Sequence, residues 1–321
     1  MNELLGAHLV DAMNVGIAVL IVALGGWAVI ARDAFAAVVG FITLGLVLTL
    51  AWVQLHGIDV ALTEAAIGGG LTGALLIFAS GRLRQTEAAA AAERPGRWTR
   101  LVAALVSVAI TLALMACVLA LPDPAPTLAG HVVAHIGATG VGNPITAVLL
   151  AFRAMDTLLE AIVLVFALIG VWSLAADDAW GGHPGLRQDA NPNGILAYAA
   201  RVLPPIGIVV GMYMLWVGAD APGGKFQGAT ILAAMWLLVI MAGIIDTPPI
   251  GARWVRLIAA AGPLVFVAIG IAGVPTAGAF LAYPDGYAKT LILIIELTLM
   301  PTLAVVLALL VTGAPKRIAK R

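Results

Sequence analysis

Charge is scarce in this chain. Only 11% of its 321 residues are Asp, Glu, Lys or Arg, against about 25% in a soluble globular domain. With 62% hydrophobic residues and a mean hydropathy of +1.07, that scarcity excludes a water-soluble fold. Cysteine is almost missing as well. Cys117 stands alone inside an apolar run, which excludes an internal disulfide framework and a thiolate metal cluster. No basic n-region precedes the first apolar run, which is long enough to span a bilayer, so it is expected to stay as a helix.

Signs of chemistry are also missing. The sequence shows no nucleophile–base arrangement, redox motif or haem ligand pair, so neither a catalysed reaction nor a cofactor is expected, and no nucleic-acid partner. The stretch Gly218-Ala-Asp-Ala-Pro-Gly-Gly-Lys225-Phe-Gln-Gly228 superficially suggests a phosphate loop, but it lacks the Gly-Lys-Ser/Thr order. His131 and His135 have helical metal-ligand spacing but no third ligand nearby, so they read as a surface pair and no metal site is expected.

Long apolar runs dominate what remains. Nine stretches are long enough to cross a membrane as helices, at roughly 9–31, 34–55, 59–81, 99–121, 155–176, 196–217, 226–246, 254–273 and 289–312. The expected fold is therefore an all-α, polytopic membrane protein. Placing the N-terminus outside and the C-terminus in the cytoplasm puts 14 of the 17 Lys and Arg on the cytoplasmic side, leaving Arg153, Lys225 and Lys289 outside. Trp27, Trp52, Trp172, Trp216 and Trp254 fall near helix ends, where interfacial anchors sit. Gly69-x-x-x-Gly73 and Gly207-x-x-x-Gly211 have the spacing for close helix packing.

Polar breaks divide the chain into three units. Residues 1–98 form a three-helix unit ending in an arginine-rich break, where Glu87 and Ala88–Ala92 permit a short helix. Residues 99–190 hold two helices, separated by a proline-rich linker and a segment, 127–153, that reads as amphipathic or surface-bound. Residues 191–321 hold four helices, after a turn-rich break at 177–194.

Acids inside such runs are expensive and usually functional. Glu64 lies about one turn inside the 59–81 run, just before Gly68-Gly69-Gly70, a triplet that permits a kink, a π-bulge or a close neighbour. It reads as a pathway acid, the alternative being an interfacial acid that stays wet. Asp59 faces about 100° away and reads as the helix cap. Asp156 and Glu160 share a face at i, i+4, and Arg153 can pair with Asp156. Glu296 sits inside the last run, near Pro301. It should face a subunit interface, an aqueous cavity or a partner on a neighbouring helix.

Certain residues carry a resemblance. Asp59-Val-Ala-Leu-Thr-Glu64-Ala-Ala-Ile-Gly68 resembles the small membrane domain at the C-terminal end of the large subunit of Mrp-type Na+/H+ antiporters, which also occurs as a separate subunit in membrane-bound hydrogenases. Asn143 to Glu160 resembles the next two-helix unit, with Ala151, Ala154 and Leu159 in place of an expected Asp, Gly and Gly. From about residue 195, Arg201-Val-Leu-Pro-Pro205, Ala221 to Gly228 and Glu296 resemble the B subunit of the same antiporters, with Lys225 replacing a usual Gly and adding an outer-side charge.

The resemblance implies an accessory subunit of a cation/proton-translocating complex in the bacterial cytoplasmic (inner) membrane. Its partners would be large antiporter-like subunits and other small Mrp-type subunits, and the moving ions H+ and Na+. Glu64, Asp156, Glu160 and Glu296 would be stations on the path. The alternative is a non-conducting scaffold in a proton-pumping assembly.

Overall fold

The computed structural model describes residues 2–81, 96–124, 126–185, 191 and 194–315. The short helix expected at 87–92 lies outside these residues, as do Arg82, Arg84, Arg94, Arg187 and the basic C-terminal tail.

Among the described residues eleven α- or π-helical elements follow one another, with a short 3-10 turn at Asp177–Ala179 and no named strand. The first three are α1 (Asn2–Ile30), α2 (Ala34–Gln54) and α3 (Ile58–Gly81). The Arg32–Asp33 turn works as expected: Asp33 caps α2, its Oδ1 accepting from the Ala36 N–H at 2.8 Å. Helix α4 (Arg97–Leu119) buries none of its residues. Then come α5 (Ala129–Thr139), α6 (Pro144–Phe152) and α7 (Ala154–Ser173). The last four are α8 (Ile195–Val217), α9 (Lys225–Met241), α10 (Arg253–Ala277) and α11 (Ala288–Thr312).

Among the described residues, eight helices are long and apolar enough to cross a membrane, and the bent pair Ala129–Thr139 and Pro144–Phe152 makes a ninth if it is one span. The eight coincide with eight of the nine expected runs. The ninth, expected at 226–246, is the 17-residue α9, which is enclosed by α8, α11 and α3. The protein is thus a multi-pass, all-α membrane protein.

Segment 127–153 departs from expectation. It folds as α5 and α6, bent by 86°, and α6 enters the core: Ala147 and Leu150 are fully buried. Gly140, at φ +68°, ends α5, and Asn143 with Pro144 restarts the helix. Helix α5 itself stays mostly exposed, with only Thr139 buried, so the departure lies in α6, whose buried face is a few residues long.

The second half of α6 winds as a π-helix, Val148–Phe152, which leaves carbonyls to be satisfied elsewhere. The Thr157 hydroxyl donates to Leu149 O at 2.6 Å, and the Tyr283 hydroxyl donates to Leu150 O at 2.6 Å. Tyr283 lies in the loop between α10 and α11, where burial pushes its phenol up.

Helix α11 is the centre of the molecule. Apart from the buried Glu296 and Thr302 it is apolar on nearly every side, as a buried helix tends to be, and packs on α7, α9 and α10 through Ile292, Ile295, Leu299, Leu303, Val306 and Leu309. The expected glycine spacings also meet neighbours. A Cβ on Gly73 would press Ile42, and one on Gly207 would collide with Met235 across the α8–α9 contact. Trp172 corrects the interfacial reading. It is buried beside Val255, Ala259 and Leu309, whereas Trp27, Trp52, Trp216 and Trp254 are exposed.

A polar junction between the two halves

Asp59 does not cap its helix. Gly57 occupies the N-cap position, and the Asp59 carboxylate points across to the other end of the chain. Its Oδ1 accepts from the Asn143 side-chain amide at 3.2 Å and from the Gly223 N–H at 3.0 Å. Nothing in the spacing around Asp59 announces this, because both partners are distant in sequence.

Asn143 is buried, and its whole side chain is used. Besides Asp59, its amide donates to Ala221 O at 3.0 Å, and its Oδ1 accepts from Ile145 N at 2.9 Å as the α6 cap. The backbone of the α5–α6 bend joins in. Gly142 N and Asn143 N both donate to Ala219 O, at 2.9 and 3.1 Å, and the Thr146 hydroxyl donates to Gly218 O at 2.5 Å. At the surface, Lys289 holds Asp220 through both carboxylate oxygens, at 2.7 and 2.8 Å. Three distant segments therefore converge on the 218–224 loop.

That loop aims Lys225 inward. Gly224 has φ +127°, a conformation that side-chain-bearing residues rarely adopt, and the next residue opens α9 facing the interior. Lys225 was expected as an outer-side charge. It is 3% exposed, with Nζ 3.7 Å from Glu296 Oε1 and 5.4 Å from the Phe226 ring centroid. Glu296, 2% exposed, is thus paired with a base on a neighbouring helix, one of the alternatives its isolation suggested. The positive N-terminal end of α9 lies beside the same carboxylate. Glu296 Oε2 has no hydrogen-bond partner.

Asp59, Lys225 and Glu296 line one cavity of about 250 Å³, together with Thr63, Thr146 and Gln227. One end of the Gln227 amide faces the Gly223 and Gly224 carbonyls at 3.2 and 3.3 Å, so that end is the nitrogen. Its oxygen then faces the Thr63 hydroxyl at 3.1 Å. Two carboxylates and one ammonium share this space.

The other acids lie outside it. Glu64 opens a nine-residue π-helix, Glu64–Thr72, through the glycine triplet. The triplet also gives a close neighbour, since a Cβ on Gly45 would stand 3.0 Å from Gly69 Cα. The Glu64 carboxylate is folded over Gly68: a Cβ there would lie 2.3 Å from Oε1. Glu64 is half-buried between α2 and its own helix. Arg153 pairs with Asp156 at 2.6 Å as the spacing suggested, both exposed. Glu160 is exposed on α7 one turn further on, near enough to Lys225 to feel its charge. Sequence reasoning did not single out Asn143 or Gln227, took Asp59 for the helix cap, and did not pair Lys225 with Glu296. The available signal was Glu296 itself, since a buried acid calls for a base and Lys225 opens an apolar run. His131 and His135 stay on one exposed helix, and no group of three metal-ligating side chains occurs among the described residues.

Known proteins share these parts. Residues 19–85 match the MbhD family of MBH components, and residues 195–315 match the domain related to the MnhB subunit of Na+/H+ antiporter. A chain of the Mrp complex from Dietzia sp. DQ12-45-1b superposes with a TM-score of 0.70 at 25% identity, covering 95% of this chain and 35% of that one. A chain of the membrane-bound sulfane sulfur reductase, an archaeal respiratory membrane complex, shares the fold with a TM-score of 0.53 at 22% identity, over 67% of this chain and 98% of its own. An uncharacterized protein of Methanocaldococcus jannaschii is 26% identical over 166 residues, which are 44% of this chain and 60% of that protein. The chain therefore spans about three-fifths of its curated relative and about a third of the solved Mrp chain. The Asp59–Gly223 hydrogen bond directly joins the segment that matches the MbhD model to the segment that matches the MnhB-related domain model, so one polypeptide carries parts similar to both.

Proposed function

We propose that this protein is an accessory membrane subunit of a multisubunit cation/proton antiporter, or of a related ion-translocating complex, and that it lends acidic side chains to the ion path. In a bacterium it would sit in the plasma membrane, N-terminus outside, beside large antiporter-like subunits and other small Mrp-type subunits, moving H+ and Na+. The chain supplies no catalytic chemistry of its own. Three units, 1–98, 99–190 and 191–321, meet at the polar junction, through Asp59, Asn143 and Gly223.

One observation carries this reading: Asp59, Lys225 and Glu296 line a single cavity where the two antiporter-type segments meet. Ionisable groups inside membrane spans are costly and rare, and mark ion pathways and proton relays. Glu64, Asp156 and Glu160 are further stations, with Glu64 flanked by the glycine triplet and Glu160 within reach of the Lys225 charge. The test is Na+/H+ exchange in vesicles holding the assembled complex. Glu64→Ala is expected to abolish exchange while the subunits still co-purify; exchange at the wild-type rate removes Glu64 from the path.

The second reading, a non-conducting scaffold, draws on the same junction. The bonds of Asp59 to Asn143 and Gly223 staple separate segments together, and α4 buries no residue within this chain, leaving its surface for other subunits or lipid. On that reading each acid can be neutralised without loss of exchange, whereas a side chain on Gly69 or Gly73 disrupts assembly.

A further inference from the structure

We infer that the cavity at the junction is a proton site from which free Na+ is excluded, because Lys225 already occupies the place of a cation beside Glu296. This rests on reading the cavity as part of an ion path, and it names the ion that this stretch carries.

Two carboxylates, Asp59 and Glu296, face one ammonium. The balance is one negative charge, and either one bound proton or one monovalent metal cation would cancel it. A sodium ion needs several oxygen ligands in a close shell, most of them free of other donors. Here several of the oxygens are already engaged: Asp59 Oδ1 accepts from Asn143 and Gly223, and the Gly223 and Gly224 carbonyls accept from Gln227. Glu296 Oε1 is held by Lys225 at 3.7 Å. A metal ion at Glu296 would also stand within a few ångströms of a fixed ammonium, with low-dielectric protein to carry the repulsion.

Glu296 Oε2 is the exception among the buried oxygens here. It is buried, has no partner, and belongs to a residue that lines the cavity. A proton fits there. It turns the orphaned oxygen into a donor, and a volume of about 250 Å³ holds the few waters needed to connect it with Asp59. The titratable groups around Glu296 are Lys225 on α9, Asp59 on α3 and, further off, Glu160 on α7. Helix α6 has no titratable residue, and α10 carries only Arg253 and Arg256, both in its first turn.

Dicyclohexylcarbodiimide tests this, since it modifies carboxyl groups that carry a proton in apolar surroundings. In membrane vesicles containing the full chain, labelling of Glu296, located by mass spectrometry and absent from Glu296→Gln, should rise as pH falls. Saturating Na+ should not slow it. In Lys225→Met the ammonium is gone, labelling should rise several-fold, and Na+ should now protect. Protection by Na+ in the wild type overturns the inference. So does a Glu296 that never labels while other carboxyls in the same vesicles do. A labelled, Na+-insensitive Glu296 together with normal exchange by Glu296→Gln would leave the proton site standing and sink the ion-path reading instead.

Discussion

Asp59 and Gly223 are 164 residues apart, yet the Gly223 N–H donates to Asp59 Oδ1 at 3.0 Å. One residue opens the third helix of the N-terminal unit; the other belongs to the loop that starts the second helix of the C-terminal four. Through this bond, and the parallel one from Asn143, the two family segments share a single polar floor under a cavity that holds an acid–base pair.

Removing the Asp59 acceptor should loosen that floor. Asp59→Ala leaves Gly223 N–H without its acceptor and takes one partner from the Asn143 amide, a loss of about 1–3 kcal/mol for a buried donor left unpaired. The expected outcome is a lower melting temperature of the purified protein, with Asp59→Asn intermediate because its amide oxygen still accepts. A melting temperature unchanged in Asp59→Ala would deny the junction a structural role.

The buried pair should show strong coupling. Lys225→Met leaves Glu296 buried without its counter-charge, a change of about 3–5 kcal/mol when one partner of such a pair is removed. Adding Glu296→Leu should restore most of that loss, giving a large interaction term in a double-mutant cycle. Additive effects would mean that the 3.7 Å separation carries no energy.

Glu64 and Gly68 should act as a unit. A methyl at Gly68 would stand 2.3 Å from the present position of Glu64 Oε1, and the flexible carboxylate must swing away. Helix propensity favours Ala by about 1 kcal/mol, so Gly68→Ala should fold well yet reduce exchange as Glu64→Gln does. Gly45→Ala differs, because its Cβ meets the Gly69 backbone at 3.0 Å. It should instead lower the melting temperature by prising α2 from α3.

Acid should weaken the surface clamp. Hydrogen bonding from Lys289 lowers the Asp220 carboxyl below its ordinary 3.8. A carboxyl lowered by folding adds stability above its ordinary value and loses it as pH falls through the lowered one. Asp220 and Lys289 are exposed, so the effect is small, about 0–1 kcal/mol. Lys289→Ala should melt slightly earlier than wild type near neutral pH, and the two curves should converge below pH 3.8.

The helices were legible because each rises from local composition, and a run of twenty apolar residues has few alternatives in a bilayer. The π-helix at Glu64–Thr72 was foreshadowed by the glycine triplet. What stayed hidden depends on contacts between distant segments. Nothing local to Lys225 pairs it with Glu296; Gly224, at φ +127°, turns it under the loop. Asp59 sits in the first turn of a helix, where an acid stabilises the dipole, and that local explanation masked its reach to Asn143 and Gly223. The α5–α6 break was missed because Asn143 caps a helix whose buried face is only a few residues long.

Exchange by the assembled complex carrying Glu296→Gln tests the central claim most directly. The substitution keeps the shape of the side chain and removes its charge, so the subunits should co-purify as before. The account predicts that Na+/H+ exchange measured in vesicles is lost. Exchange at the wild-type rate, with the complex intact, would contradict it.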